Sequence, residues 1–307
     1  MTLILQMLLL VLGFVLLVKG ADWFVDGASG IAAKLRIPQL VIGLTIVAMG
    51  TSAPEAAVSI SAALKGSADI TIGNIVGSNI LNIFIILGLA SAIVPIAVAK
   101  STIRVDIPFM LFISGVLLAL GWDGTVTLAD GLIMLVLFAA YLGYMLYMAK
   151  KGGEEGDEIK DLKLWQALLY TVLGLVLIVW GADVAVDAAT ALARIFGLSE
   201  RFIGLTVVAL GTSLPELFTS VTAARKGNAD IAIGNIVGSN IFNILFVVGL
   251  SAMIVPVPFT ANFRIDTMVA IAAGVVLLLC SLRQKKLVRW HGIAMLLGYG
   301  AYFLYLL

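Results

Sequence analysis

Gly43 to Glu55 reads GLTIVAMGTSAPE, and 161 residues further on Gly204 to Glu216 reads GLTVVALGTSLPE, identical at ten of thirteen positions. The same offset superimposes Gly73 to Ile80, GNIVGSNI, on Gly234 to Ile241, where all eight positions match. It also relates Asp22 to Asp183, Asp26 to Asp187, Lys65 to Lys226, Asp69 to Asp230, Asn82 to Asn243 and Pro95 to Pro256. The chain is therefore a duplicated unit, and its fold follows from how the two copies sit in their solvent.

That solvent is a bilayer. Of 307 residues 62% are hydrophobic and 12% charged, with a mean hydropathy of +1.13, whereas a soluble domain carries about 25% charge. A bilayer core takes a helix of roughly 20 apolar residues. Apolar runs near 2–18, 38–63, 70–98, 103–121, 126–148, 164–190, 200–223, 231–258, 265–282 and 288–307 give ten spans, five in each copy. The first run is read as a membrane helix and not a signal peptide, because no Lys or Arg precedes it. The acidic stretch 150–163 then joins a first repeat, 1–149, to a second, 164–307. It is too short for a large regulatory domain.

An odd number of spans per copy makes the second copy enter the membrane from the opposite face. The expected fold is all-α, ten transmembrane helices arranged as two inverted-topology repeats of five, an architecture common among secondary transporters. Basic residues mark cytoplasmic connections. Fifteen of the nineteen Lys and Arg fall in odd-numbered connections, and only Lys65, Arg194, Arg201 and Arg264 in even-numbered ones. Both termini are thus expected outside and the linker in the cytoplasm of a plasma-type membrane. A net charge of +1 and the absence of nucleic-acid-binding motifs exclude that class of partner. The single Cys280 excludes an internal disulfide.

Ionisable side chains inside a span are costly and mark function. Glu55 and Glu216 lie at equivalent apolar depths, each directly after a Pro, with no intramembrane Lys or Arg to pair with. Two such carboxylates facing one another need a cation or protons. Pro54 and Pro215 free carbonyls about one turn back, around Ala48 and Ala209. The hydroxyls of Thr51, Ser52, Thr212 and Ser213 add neutral oxygen, a mixture suited to a hard cation. Ser78 and Asn82 share a helix face with Asn74 one turn earlier, as do Ser239, Asn243 and Asn235. Gly73, Gly77, Gly234 and Gly238 read as close-packing positions. Asp22, Asp26, Asp183 and Asp187 read as solvated or capping residues at helix ends.

At GTSxPE and GNxxGSNI the sequence resembles the sodium/calcium exchangers of the calcium/cation antiporter superfamily, over the whole chain. The resemblance implies calcium coordination by Glu55 and Glu216 with the carbonyls of Thr51 and Thr212. It implies sodium coordination by the Ala48 carbonyl, Thr51, Ser52, Glu55 and Ser78, and by the Ala209 carbonyl, Thr212, Ser213, Glu216 and Ser239. Asn82 and Asn243 match the remaining positions facing the central site; potassium-dependent relatives resemble a pattern with an Asp there. Calcium and sodium are then the transported ions and the only partners besides lipid, with no cofactor and no obligatory protein partner. A calcium/proton antiporter is the alternative. An intramembrane hydrolase lacks its residues, since His291 is the only histidine and neither HExxH nor GxGD occurs. A passive channel would move the ion without a counter-ion.

Overall fold

The computed structural model describes residues 3–66, 68–151, 162–197 and 209–306, the side chains at 69 and 209 excepted. Most of the acidic linker, Arg201 and the opening of the second long motif, 204–208, fall outside the described residues. The chain is predominantly helical. Helix α1 (Leu3–Leu35) is followed by α2 (Gln39–Ile42), a π-helical turn (Gly43–Val47), α3 (Ala48–Thr51) and α4 (Ala53–Leu64). Then come α5 (Asp69–Leu81), a second π-helical segment (Asn82–Leu87), α6 (Gly88–Ile93), β1 (Ile96–Ala97), a third π-helical segment (Thr102–Asp106), α7 (Ile107–Leu120), β2 (Thr125–Val126) and α8 (Leu128–Lys150). The second half runs α9 (Leu164–Ile195), α10 (Ala209–Gly211), α11 (Leu214–Arg225) and α12 (Ala229–Phe242). A π-helical segment (Asn243–Val248), α13 (Gly249–Ile254), β3 (Val257–Pro258), α14 (Ala261–Gln284), β4 (Lys286–Leu287) and α15 (Arg289–Leu306) complete it.

Among the described residues seven helices are long and apolar enough to cross a bilayer, or eight when the pair on either side of Ser52, bent by 49°, is taken as one broken span. The expected run 200–223 lies partly outside the described residues. The first helix does not stop near residue 18 as its apolar run does. It continues through Lys19, Asp22 and Asp26 to Leu35, 33 residues in all. At 1.5 Å per residue it is about 50 Å long, well beyond the hydrocarbon thickness, so it must tilt or project.

Helices α1 and α9 pack along their length and run antiparallel. Gly13 meets Ala185, Gly20 meets Gly174 and Ile178, and Gly27 meets Ala167 and Thr171. A Cβ on Gly20 would stand 2.8 Å from the Gly174 carbonyl oxygen, so the absence of side chains lets the backbones close, as small residues do between helices in lipid. The copies exchange partners elsewhere too. Ile96 of β1 pairs with Leu287 of β4, and Val126 of β2 with Val257 of β3, both antiparallel. These two pairs are copies of one another at the offset of 161.

Helices α5 and α12 form the centre. Every residue from Ile231 to Phe242 is buried. Gly234 and Gly238 admit the first half's motif, with a Cβ on Gly238 reaching 2.5 Å from the Leu44 carbonyl oxygen and 2.7 Å from Ala48 Cβ. The packing role expected for the GxxxG pair therefore holds in α12. On α5 a Cβ on Gly73 would stand 3.5 Å from the Phe263 ring, while 204–208, the copies of the residues that pack on α12, lie outside the described residues.

Candidate cation site

The site is built where two chain breaks meet. Ser52, with φ −81° and ψ 7°, interrupts the helix between α3 and α4, and Ser213, with φ −90° and ψ 4°, separates α10 from α11. Pro54 and Pro215 occupy the first turns of the new helices, where a missing N–H costs nothing. Glu55 and Glu216 lie in the same first turns, at the ends whose helix dipole favours a negative charge. Both half-helices end at a glycine of positive φ, Gly66 at 78° and Gly227 at 81°, the usual left-handed terminator.

Both glutamates are fully buried, as are Thr51, Ser52, Asn82, Asn243, Ser239 and, at 3% exposure, Ser78 and Ser213. The bonds among them cross between halves. Ser52 Oγ donates to Glu216 Oε1 at 2.7 Å, and its copy Ser213 Oγ donates to Glu55 Oε1 at 3.4 Å. Ser78 Oγ donates to Glu55 Oε1 at 3.5 Å and lies 3.3 Å from Ser213 Oγ. Ser239 Oγ donates to the Ala48 carbonyl at 3.3 Å, as Thr51 Oγ1 does at 3.4 Å. Thr51 Oγ1 also donates to Asn235 Oδ1 at 2.9 Å.

Asn74 and Asn235 brace the half-helices from α5 and α12. Asn74 Nδ2 donates to the Glu55 carbonyl and to Ser59 Oγ, and Asn235 Nδ2 to the Glu216 carbonyl and to Ser220 Oγ. Around the centre, two further asparagines that the sequence reading passed over, Asn79 and Asn240, clasp one another reciprocally. Asn79 Nδ2 donates to the Asn240 carbonyl at 3.3 Å and Asn240 Nδ2 to the Asn79 carbonyl at 3.2 Å. Asn240 Oδ1 accepts from Asn82 Nδ2 at 2.9 Å, and Asn79 Oδ1 from Asn243 Nδ2 at 3.1 Å.

With both amide nitrogens occupied in this way, Asn82 Oδ1 and Asn243 Oδ1 are left without a donor. So are Glu55 Oε2 and Glu216 Oε2. Of nine buried polar side-chain atoms without a partner among the described residues, these four acceptors form two symmetric pairs at the centre, and buried polar groups ordinarily find a partner. This set suits a cation, which needs acceptors alone.

Of the other residues singled out from the sequence, Thr212 departs from its copy. Thr51 is fully buried, whereas Thr212 is half-buried and lines a cavity of about 320 Å³ with Pro54, Ala57, Val58 and Gly211 on one side and Val179, Ala182, Asp183, Val186 and Asp187 of α9 on the other. Ala209 opens α10. Asp22 and Asp26 are neither caps nor free: both lie inside α1 and pair with Lys226, at 3.3 and 2.7 Å.

A family model described as sodium/calcium exchanger protein matches residues 5–147 and 166–307. A putative antiporter, CaxA, of Alkalimonas amylolytica is 43% identical over 290 residues, covering 90% of each chain. The sodium/calcium exchanger MaX1 of Methanosarcina acetivorans is 33% identical and covers 96% of each. Among solved structures, the sodium-calcium exchanger NCX_Mj soaked with sodium and strontium superimposes with a TM-score of 0.87 at 33% identity, over 98% of this chain and 99% of that one. The chain is an integral membrane protein with the NCX_Mj exchanger fold, and it belongs to the sodium/calcium exchanger family, whose members are cation antiporters and not enzymes.

Proposed function

We propose that this protein exchanges sodium for calcium by alternating access at a site centred on Glu55 and Glu216. The observation that carries the reading is the symmetric set of donorless oxygens, Glu55 Oε2, Glu216 Oε2, Asn82 Oδ1 and Asn243 Oδ1. Calcium, a divalent ion preferring carboxylate and carbonyl oxygen, would take both glutamates with the Thr51 and Thr212 carbonyls. Sodium ions would use the same glutamates together with Ser52, Ser78 and the Ala48 carbonyl in one half, and Ser213, Ser239 and the Ala209 carbonyl in the other. The two loads share ligands and so exclude one another.

Coupling follows from the cost of the empty site. Two unpaired carboxylates in a low-dielectric interior are expensive to carry through a conformational change, while either ion type neutralises them. The antiparallel packing of α1 on α9 and the exchanged β pairings support ten helices in two inverted repeats, 1–149 and 164–307. Alternation would then swap the roles of the halves. The matched ranges on either side of the linker support the same division, and the basic-residue bias supports external termini and a cytoplasmic linker.

Calcium uptake into proteoliposomes under an imposed sodium gradient at fixed pH, compared with a pH gradient in the absence of sodium, tests the reading. Uptake should require the sodium gradient. Uptake that follows the pH gradient alone would replace it with calcium/proton antiport.

A further inference from the structure

Lys226 follows directly on α11 and reaches across to α1. Its Nζ donates to the Asp22 carbonyl at 2.8 Å and pairs with Asp22 Oδ1 at 3.3 Å and Asp26 Oδ1 at 2.7 Å. Asp22 and Asp26 are four apart on one helix face, where like charges repel, and Lys226 offsets that repulsion. Farther along the same two helices the Phe14 and Phe218 rings stand 5.9 Å apart. The joint between α1 and the second half's broken helix is closed.

Lys226, Asp22 and Asp26 each have a copy 161 residues away, whereas Leu175 and Ala57 stand in place of the two rings, and there the joint is open. Lys226 corresponds to Lys65 at the end of α4, and Asp22 and Asp26 to Asp183 and Asp187 on α9. Among the described residues Lys65 makes no ion pair with either acid. Asp183 and Asp187 instead form one wall of the cavity of about 320 Å³, facing Ala57 and Val58. Lys65, about two turns farther along, lines a second cavity that begins at those same two residues, so a shift of α4 along α9 as the joint closes would bring it to the two acids.

We propose that Lys226 and Lys65 are positioning residues of the exchange cycle, a pair of reciprocal latches. Lys226 on Asp22 and Asp26 holds one side shut while the α4–α9 cavity is open. In the opposite state Lys65 engages Asp183 and Asp187 and the Lys226 contact is released. This inference rests on the alternating-access reading above, but not on which ions are carried. With the basic-residue bias setting orientation, Lys226 guards the cytoplasmic side.

The test reads the opening of the cavity and not transport. Cys280, the sole cysteine, is replaced by Ala, Val58→Cys is introduced in the cavity wall, and its labelling by a membrane-impermeant maleimide is timed in nanodiscs at constant ion composition. Lys226→Gln should slow labelling by up to about fivefold, the shift that about 1 kcal/mol of partly exposed ion pair produces. Asp22→Asn with Asp26→Asn should do the same, which keeps the test alive if one variant fails to fold. Lys226→Arg should restore the parent rate, and Lys65→Gln should leave it unchanged or raise it. Labelling in Lys226→Gln at or above the parent rate, or slowed equally by Lys65→Gln, would overturn the proposal. If the latch behaves as stated while sodium fails to drive calcium uptake, only the ion assignment falls.

Discussion

Each site glutamate receives a serine hydroxyl from the opposite half on one carboxylate oxygen and keeps the other bare. Ser52→Ala removes the 2.7 Å bond to Glu216; a lost hydrogen bond to a charged group is worth about 1.5–3 kcal/mol. Because the hydroxyl is also a proposed sodium ligand, the sodium concentration for half-maximal exchange should rise roughly tenfold or more, with a smaller change for calcium, as read from uptake titrations. Asn79→Ala and Asn240→Ala should each lower thermal stability by about 1–3 kcal/mol, by stranding buried amide partners. Their double variant should cost less than the sum, because the two share one network. The glutamates and hydroxyls were legible from repetition in an apolar run. Asn79 and Asn240 repeat equally well, but spacing from Asn82 does not say that they meet their own copies across the centre. That contact depends on how the two halves dock.

The broken helices were legible at the scale of the element, because Pro after Gly-Thr-Ser admits few other outcomes. Pro54→Ala returns an N–H to the break and a continuous helix becomes accessible. Calcium uptake by this variant should fall at least tenfold while its melting temperature is unchanged or higher; equal loss of both would point to simple misfolding. The extent of α1 was not legible. Lys19, Asp22 and Asp26 read as the end of a membrane helix, but the helix continues, and Lys226, distant in sequence, pairs with both acids. The π-helical segments at Asn82–Leu87 and Asn243–Val248 also left no periodic signal, since one extra residue per turn disturbs the pattern too little to detect. Gly238→Ala should cost about 1–3 kcal/mol, because its Cβ meets the Leu44 carbonyl in packed surroundings.

For the whole molecule, odd span number and repeat offset imply inverted halves, and the antiparallel run of α1 against α9 supports that proposal. Which half is open is invisible to a sequence in which both copies read alike. The 320 Å³ cavity on the α4–α9 side, against the closed α1–α11 side, is a property of one state. A ligand that binds the folded protein stabilises it by about 2.7 kcal/mol at 100 times its dissociation constant. Calcium at that level should therefore raise the melting temperature of the parent protein in detergent, and Glu55→Gln with Glu216→Gln should abolish the rise.

The central claim is that one pair of glutamates carries both ions. Calcium-45 uptake into sodium-loaded proteoliposomes, diluted into choline or into sodium, tests it with the parent protein, Glu55→Gln, Glu216→Gln and the surface control Asp123→Asn. Uptake should appear only in choline, persist in Asp123→Asn, and vanish in both glutamine variants. Sodium-dependent uptake that survives either glutamine substitution would contradict the account.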